Sequence, residues 1–411
     1  MASKHLEDEG GMMEYFPTEL LENIFMHLSP IELAVCQQVC KRFKRIIDCY
    51  FRDENYWKRR LSSDYPDICH VVLRKCKPHM PYHNIYKSLT LWPRFNQVTE
   101  VQNSFACPTT AQGEVKGFIL LKYNEMAVHT HGGIYYWNLR SLHPITRGPM
   151  YGNYLKYYEA ENIIVILGMS LNLFVQWPIS PESVEYNEMR LSRVRTFLVH
   201  NRAMYIVFSD DEISFCQLYT ANFEMRTLQK MRDMVVALGF SNGHLNILTY
   251  RRNLYKLCND EIVFQRALDL QCNMLELLRR YNFLENFDWR TFFRWVFLAN
   301  PTICRGPLQD ITLVKQYGDL FFVGTLWGIV RIYYKPYVNG ELDIFSTQPL
   351  KEYNFLKTFC FSYPACPVLS IDVVEEHGCH RLYIAMPKGI CVLNFHYNPP
   401  FLYGPLPMAE I

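Results

Sequence analysis

An α+β multidomain fold, with a helical N-terminal segment ahead of an all-β propeller of six or seven blades, is predicted by two features of the 411-residue sequence. Between residues 15 and 62, apolar side chains recur three and four positions apart, the spacing of helices that bury one stripe. From about residue 115 the period shortens towards two, and β-branched and aromatic residues cluster between Gly, Asn and Asp turns. The length also exceeds what one compact core usually carries.

Composition narrows the function classes. The chain is 49% hydrophobic and 20% charged with a formal net charge of +2, which excludes a largely disordered protein. The same balance argues against a chain held to nucleic acid by bulk charge. Fourteen Cys are far too few for a disulfide scaffold of this length. The opening MASKHLEDEGGMMEY is charged where a secretory signal would be apolar. The most apolar stretch, 163–177, is broken by Gly168, Ser170 and Asn172 and is too short for a membrane helix. No membrane association and a cytoplasmic or nuclear location are therefore expected.

An acidic tail, 1–14, precedes the helical segment. Thr18 is placed to cap the first helix, along which Leu20, Ile24 and Leu28 share one face and Leu21 and Phe25 the neighbouring stripe. Ser29-Pro30-Ile31-Glu32 combines a capping box with Pro at the first helical position and starts a second helix containing Leu33 and Val35. Val39, Phe43 and Ile46 or Ile47 line a third. Three short helices cannot bury so much apolar surface on each other, and the surplus on the first predicts a permanent partner. Residues 63–104, with Pro66, Pro78, Pro81 and Pro93, read as a connector with short helical turns.

The β region, 105–397, repeats itself. Strand groups end at Trp137, Trp177, Gln217 and Lys256, spaced 40, 40 and 39 residues apart. A period near 40 with three or four strands per unit is that of a propeller blade, which needs a closed ring to bury both faces. A further unit ends at Arg331, so a poorly patterned blade is expected in the gap after Lys256; the last unit spans 369–395. Ring closure predicts that the strand near 115–123 neighbours the one near 389–395. The aromatic stretch 274–298 reads as a helical excursion, and 398–411 as a tail.

Within residues 16–60, Pro17, Glu19, Leu20, Leu21, Ile24, Phe25, Leu28, Leu33, Val39, Cys40, Phe43 and Ile46, with Trp57 downstream, form a pattern that resembles the F-box family. Phe16 stands where Leu is usual and Phe43 where Trp is commoner; both keep a bulky apolar group. The resemblance implies a non-catalytic substrate receptor of a Skp–cullin–F-box ubiquitin ligase, the helices binding the Skp-type adaptor and the propeller a protein substrate, phosphorylated or not. The adaptor contact would use Pro17, Leu20, Leu21, Ile24, Phe25, Leu28, Leu33, Val39 and Phe43. The alternatives are an F-box scaffold acting outside a ligase and a propeller hydrolase. WD-type repeats are the nearest named repeat, yet none of the seven Trp is followed by Asp.

No phosphate loop, nucleophile elbow or zinc helix occurs in the sequence, and no cofactor or metal is expected. Cys36 and Cys40 fall on the F-box helices, and Cys360, Cys366, Cys379 and His380 match no common zinc spacing. The run Lys41–Arg45 reads as the solvated side of the third helix. Two clusters suit substrate capture: Arg190, Arg193 and Arg195, which could hold phosphate through charge-assisted hydrogen bonds, and the segment with Trp289 and Trp295.

Overall fold

The computed structural model describes residues 16–76, 80–106, 113–122, 124–160, 162–180, 185–241, 244–267, 311–334, 347–356 and 366–397. The helical head comprises α1 (Thr18–His27), α2 (Pro30–Cys36), α3 (Lys41–Arg52) and α4 (Glu54–Asp64). The capping box forms as expected: Ser29 N–H donates to Glu32 Oε2 at 2.7 Å and Glu32 N–H to Ser29 Oγ at 3.3 Å. The expected Thr18 cap does not. Pro17 occupies the cap position without a side-chain bond, and Thr18 Oγ1 instead accepts from Arg42 at 3.1 Å. Cys40 caps α3 through its sulfur, which accepts from Phe43 N–H at 3.4 Å.

The connector is more ordered than its prolines suggest. It folds into α5 (Pro66–Cys76), α6 (Tyr82–Leu89) and a 3-10 turn over Trp92–Gln97. Pro66 opens α5, Pro81 precedes α6 and Pro93 sits in the first turn of the 3-10 segment, the places where a missing N–H costs nothing.

Strand β1 (Val98–Ala106) follows at once, so the β domain begins at Val98 rather than at 105. Six four-stranded antiparallel sheets make up the described β domain. Blade 1 holds β2 (Val115–Leu120), β3 (Glu125–Thr130), β4 (Gly133–Asn138) and β5 (Met150–Tyr151). Blade 2 holds β6 (Tyr154–Ala160), β7 (Ile163–Gly168), β8 (Leu173–Pro178) and β9 (Tyr186–Leu191). Blade 3 holds β10 (Val194–His200), β11 (Ala203–Phe208), β12 (Glu212–Leu218) and β13 (Phe223–Lys230). Blade 4 holds β14 (Val235–Ser241), β15 (His244–Thr249), β16 (Asn253–Cys258) and β17 (Glu261–Ala267). Blade 5 holds β18 (Ile311–Tyr317), β19 (Leu320–Thr325), β20 (Ile329–Tyr334) and β21 (Lys351–Asn354). Blade 6 combines β22 (Ser370–Glu376), β23 (Cys379–Met386) and β24 (Gly389–Tyr397) with β1, in the order β1-β24-β23-β22.

The 40-residue period has a plain cause. Trp137, Trp177, Gln217 and Lys256 all lie on the third strand of their blades. Second strands are nearly all buried, as in β7 and β19, whereas the fourth strands β13 and β17 are largely exposed. Burial thus falls from the second strand of these blades to the fourth. The five blades that open on their own first strand each start it with a register shift, between Val115/Gly117, Tyr154/Lys156, Val194/Thr196, Val235/Ala237 and Ile311/Leu313. Such bulges re-aim the strand where it turns into the next unit.

Closure joins residues far apart in sequence. Val98 pairs with Tyr397 and Ala106 with Gly389, along the whole of β1 and β24. On the side away from β23, the strand hydrogen-bonded to β24 is therefore β1, taken largely from the stretch assigned to the connector. The expected neighbour, β2, packs beside blade 6: Val115 N–H donates to the Pro387 carbonyl at 2.9 Å, and Val115 and Phe118 share a core with Tyr383 and Ile390. The extra blade after Lys256, the excursion at 274–298 and both tails lie on residues outside those described.

Candidate functional site

The head sorts its apolar residues into two sets. Leu21, Phe25, Leu33, Phe43 and Ile47 are buried, with Phe25 edge-on to Phe43 at 5.1 Å. Trp57 stacks on Phe51 at 5.4 Å and donates from Nε1 to the Phe51 carbonyl at 3.0 Å. The other set faces solvent: Leu20 is 48% exposed, Ile24 44%, Ile31 52%, Val35 61% and Val39 67%. Leu20 and Ile24 are one turn apart on α1, as are Ile31 and Val35 on α2. An apolar surface this dense on so small a unit is of the kind that partners cover.

The sequence-derived adaptor residues thus split. Pro17, Leu20, Ile24 and Val39 are exposed, Leu28 is half-buried, and Leu21, Phe25, Leu33 and Phe43 form the core beneath them. Ile31 and Val35 were absent from that set. Their i, i+4 spacing on α2 was the signal that could have found them.

The head does not hang on a loose tether. One continuous core runs from Leu21 and Phe25 through Trp57, Ile85 and Trp92 to Phe322, Leu382 and Phe395 in blades 5 and 6. At the junction, Glu375 of β22 is buried and accepts from four donors. Trp92 Nε1 lies 3.0 Å and Tyr317 OH 2.9 Å from Oε1, while Ser88 Oγ lies 2.5 Å and His380 Nδ1 2.6 Å from Oε2. The Trp92 and His380 rings stack at 3.8 Å. Burial pushes the Glu375 carboxyl up, but His380 and the hydrogen bonds of Ser88 and Trp92 outweigh it and hold it below its usual range.

A second buried pair anchors α5. Lys75 Nζ lies 2.5 Å from Asp372 Oδ1 and 3.0 Å from the Val373 carbonyl, and Lys315 Nζ lies 2.9 Å from the same carboxylate oxygen. Burial pulls Lys75 down to about 8 against the attraction of Asp372. Burial raises the Asp372 carboxyl, and Lys315 and Lys75 overcome that and hold it well below the normal carboxylate range.

The expected substrate arginines spread across blades 2 and 3. Arg190 is exposed on β9, 3.6 Å from Glu188 and lying over the Phe174 ring. Arg193 adopts a positive φ of 60° in the link between β9 and β10. Arg195 ion-pairs within blade 3 with Asp211, whose carboxylate also accepts from Val235 N–H at 2.8 Å and so links blade 3 to blade 4. The three do not converge on one point. Trp289 and Trp295 lie outside the described residues, as does Cys360.

Cys379 and His380 are buried in β23, and the described residues contain no metal-ligating group of three or more His, Cys, Asp or Glu. Among the described residues, no helix is long and apolar enough to cross a membrane.

Comparison with known proteins agrees with the head. A family model described as F-box-like matches residues 13–61. An Arabidopsis thaliana F-box protein is 32% identical over 75 residues, 18% of this chain and 27% of that protein. The chain therefore spans about a quarter of the length of the curated relative it matches. Among solved structures, Saccharomyces cerevisiae Sqt1 is 11% identical, covering 72% of this chain and 100% of its own, at a TM-score of 0.45. The β-propeller domain of Myceliophteria thermophila Cps50 is also 11% identical, covering 72% and 90%, at a TM-score of 0.34. The propeller assignment rests on the six sheets and their closure rather than on these scores. The chain carries an F-box-like domain at its N-terminus, joined through packed helices to a β-propeller with six four-stranded blades among the described residues.

Proposed function

We propose that the protein is the substrate receptor of a Skp–cullin–F-box type ubiquitin ligase. Its head docks a Skp-type adaptor, and through it a cullin-RING assembly, while the propeller holds a protein substrate. The observation that carries this reading is the apolar surface of α1 and α2, left at 44–61% exposure at Leu20, Ile24, Ile31 and Val35 above a filled core. Such a surface is stabilised when a partner covers it. The protein's contribution is proximity: substrate lysines are held at high local concentration near a thioester supplied by others. The adaptor contact consists of Pro17, Leu20, Ile24, Leu28 and Val39 with Ile31 and Val35, supported from below by Leu21, Phe25, Leu33 and Phe43.

The rigid junction supports the same reading. A receptor that must present substrate at a fixed distance gains from a head whose core is continuous with the ring. Substrate contact is assigned to the propeller, with Arg190 on blade 2, Arg193 in the link to blade 3 and Arg195 on blade 3 as the basic candidates, and Trp289 and Trp295 as the aromatic candidates.

Replacing Leu20 and Ile24 by Ala tests the adaptor contact. Both side chains are half-exposed, so the fold is kept, and about 1–2 kcal/mol of interface burial is lost at each. Adaptor co-purification with the double variant should fall at least thirtyfold while thermal stability is unchanged. Undiminished adaptor binding removes the assignment. A scaffold acting outside a ligase would bind adaptor yet show no cullin in the captured complex.

A further inference from the structure

We infer that the seam between α5 and blades 1 and 2 is a binding pocket for an oxyanion, a phosphate or carboxylate group. A pocket of about 60 Å³ opens there. It is lined by Arg74 near the end of α5, Lys122 in the β2–β3 turn, Glu125 at the start of β3, Arg147 in the β4–β5 link, and Glu159 near the end of β6. Such a space holds a group of a few heavy atoms, not a whole side-chain cluster.

The charges in this pocket are unequally satisfied. Glu159 is occupied: Arg147 Nη1 lies 2.7 Å from Oε1, and the hydroxyls of Tyr136 and Tyr157 donate to Oε2. The Arg147 guanidinium also lies over the Tyr136 ring at 3.8 Å, and its remaining acid, Glu125, is 3.9 Å away. Arg74 stands apart. Its Nε is buried and has no hydrogen-bond partner, whereas the adjacent Lys75 is held by Asp372. Lys122 is exposed and makes no ion pair among the described residues.

A part-buried guanidinium whose Nε has no partner and that has no counter-ion among the described residues is costly, and that cost is offset when an anion enters. Three cations face two carboxylates, one of which is enclosed by tyrosines, so the open side of the pocket favours negative charge. Arg74 supplies a planar donor fork suited to two oxygens of one group, and Lys122, also in the lining, a point charge. An anion bridging them ties α5 to blade 1. Because Lys75 already ties α5 to blade 6, the bound state fixes the head more firmly to the ring. This site lies away from the adaptor face and does not depend on the receptor reading.

The test is thermal unfolding of the full chain titrated with inorganic phosphate and, separately, with acetate, at constant ionic strength. Saturable stabilisation is expected, with the apparent dissociation constant rising at least tenfold in Arg74→Gln and in Lys122→Gln, and unchanged in Arg251→Gln on a β15–β16 turn. A stronger effect of phosphate assigns the ligand group as a phosphate, and a stronger effect of acetate as a carboxylate. Lys122 is exposed, so its variant folds even if Arg74→Gln does not. Absence of saturable stabilisation by either anion, or equal titrations in wild type and Lys122→Gln, overturns the inference.

Discussion

Replacing Glu375 should separate the head from the ring, and the two obvious substitutions should differ in a way that geometry dictates. In Glu375→Ala, Trp92 Nε1, Tyr317 OH, Ser88 Oγ and His380 Nδ1 all lose their acceptor in a fully buried site. Removing one partner of such a buried network costs about 3–5 kcal/mol. In Glu375→Gln the amide oxygen can keep Trp92 and Tyr317. The amide N–H then faces Ser88 Oγ, which can accept, and His380 Nδ1, which can accept once the ring proton moves to Nε2. Because Nε2 has no partner in the structure, that tautomer displaces no bond. The amide should therefore cost only about 1–2 kcal/mol. Chemical denaturation followed by tryptophan fluorescence checks this, since Trp92 stacks on His380 and reports the junction. Glu375→Ala should also split one transition into two as the head melts ahead of the propeller. A Glu375→Ala variant within 1 kcal/mol of wild type, or less destabilised than Glu375→Gln, would refute the reasoning.

Three further outcomes are expected. Glu375 and Asp372 both have carboxyls held below their unfolded values, so their stabilisation is complete above about pH 4.5 and is lost as pH falls through the folded values; acid unfolding should show a smaller pH dependence in Asp372→Asn, read by circular dichroism. Lys75 is depressed to about 8, so its titration should add stability as pH rises from about 8 to 10.5, a gain absent in Lys75→Met. In Gly133→Ala the new Cβ would meet the Met150 carbonyl oxygen at 2.3 Å on a backbone with φ +149°, so blade 1 should lose about 1–3 kcal/mol by thermal denaturation.

The repeat was legible because its marker residues recur on one strand of each blade, where burial enforces the same pattern every 40 residues. The second helix was legible because its capping box is local chemistry. What could not be read was pairing across long distances. β1 reads VTEVQNSFA, a weakly patterned outer strand, and only its partner β24, nearly three hundred residues away, makes it part of a blade. The helical turns of the connector were legible, with three of its prolines at helix starts, but what those helices bury against is supplied by blades 5 and 6. In the head, Leu20 and Leu21 are equally apolar. Which of the two faces the core depends on where α3 lies, so exposed and supporting residues could not be told apart. Asp211, Asp372 and Glu375 each sit in strands or turns rich in ordinary charges, and only burial singles them out.

The closing strand has a consequence for how the protein is made. β1 leaves the ribosome early but cannot pair until β24 has been synthesised, with every blade between them already translated. Until then the edge of β1 is unpaired, and Ser88 and Trp92 lack the Glu375 carboxylate of β22 that they later bond, and surfaces of this kind aggregate readily. Ring closure must therefore wait for β24 and is slow relative to local helix formation. A nascent chain stalled before residue 389 should be a client of general chaperones, and the junction that orients the head should be the last part of the molecule to become protected from hydrogen exchange.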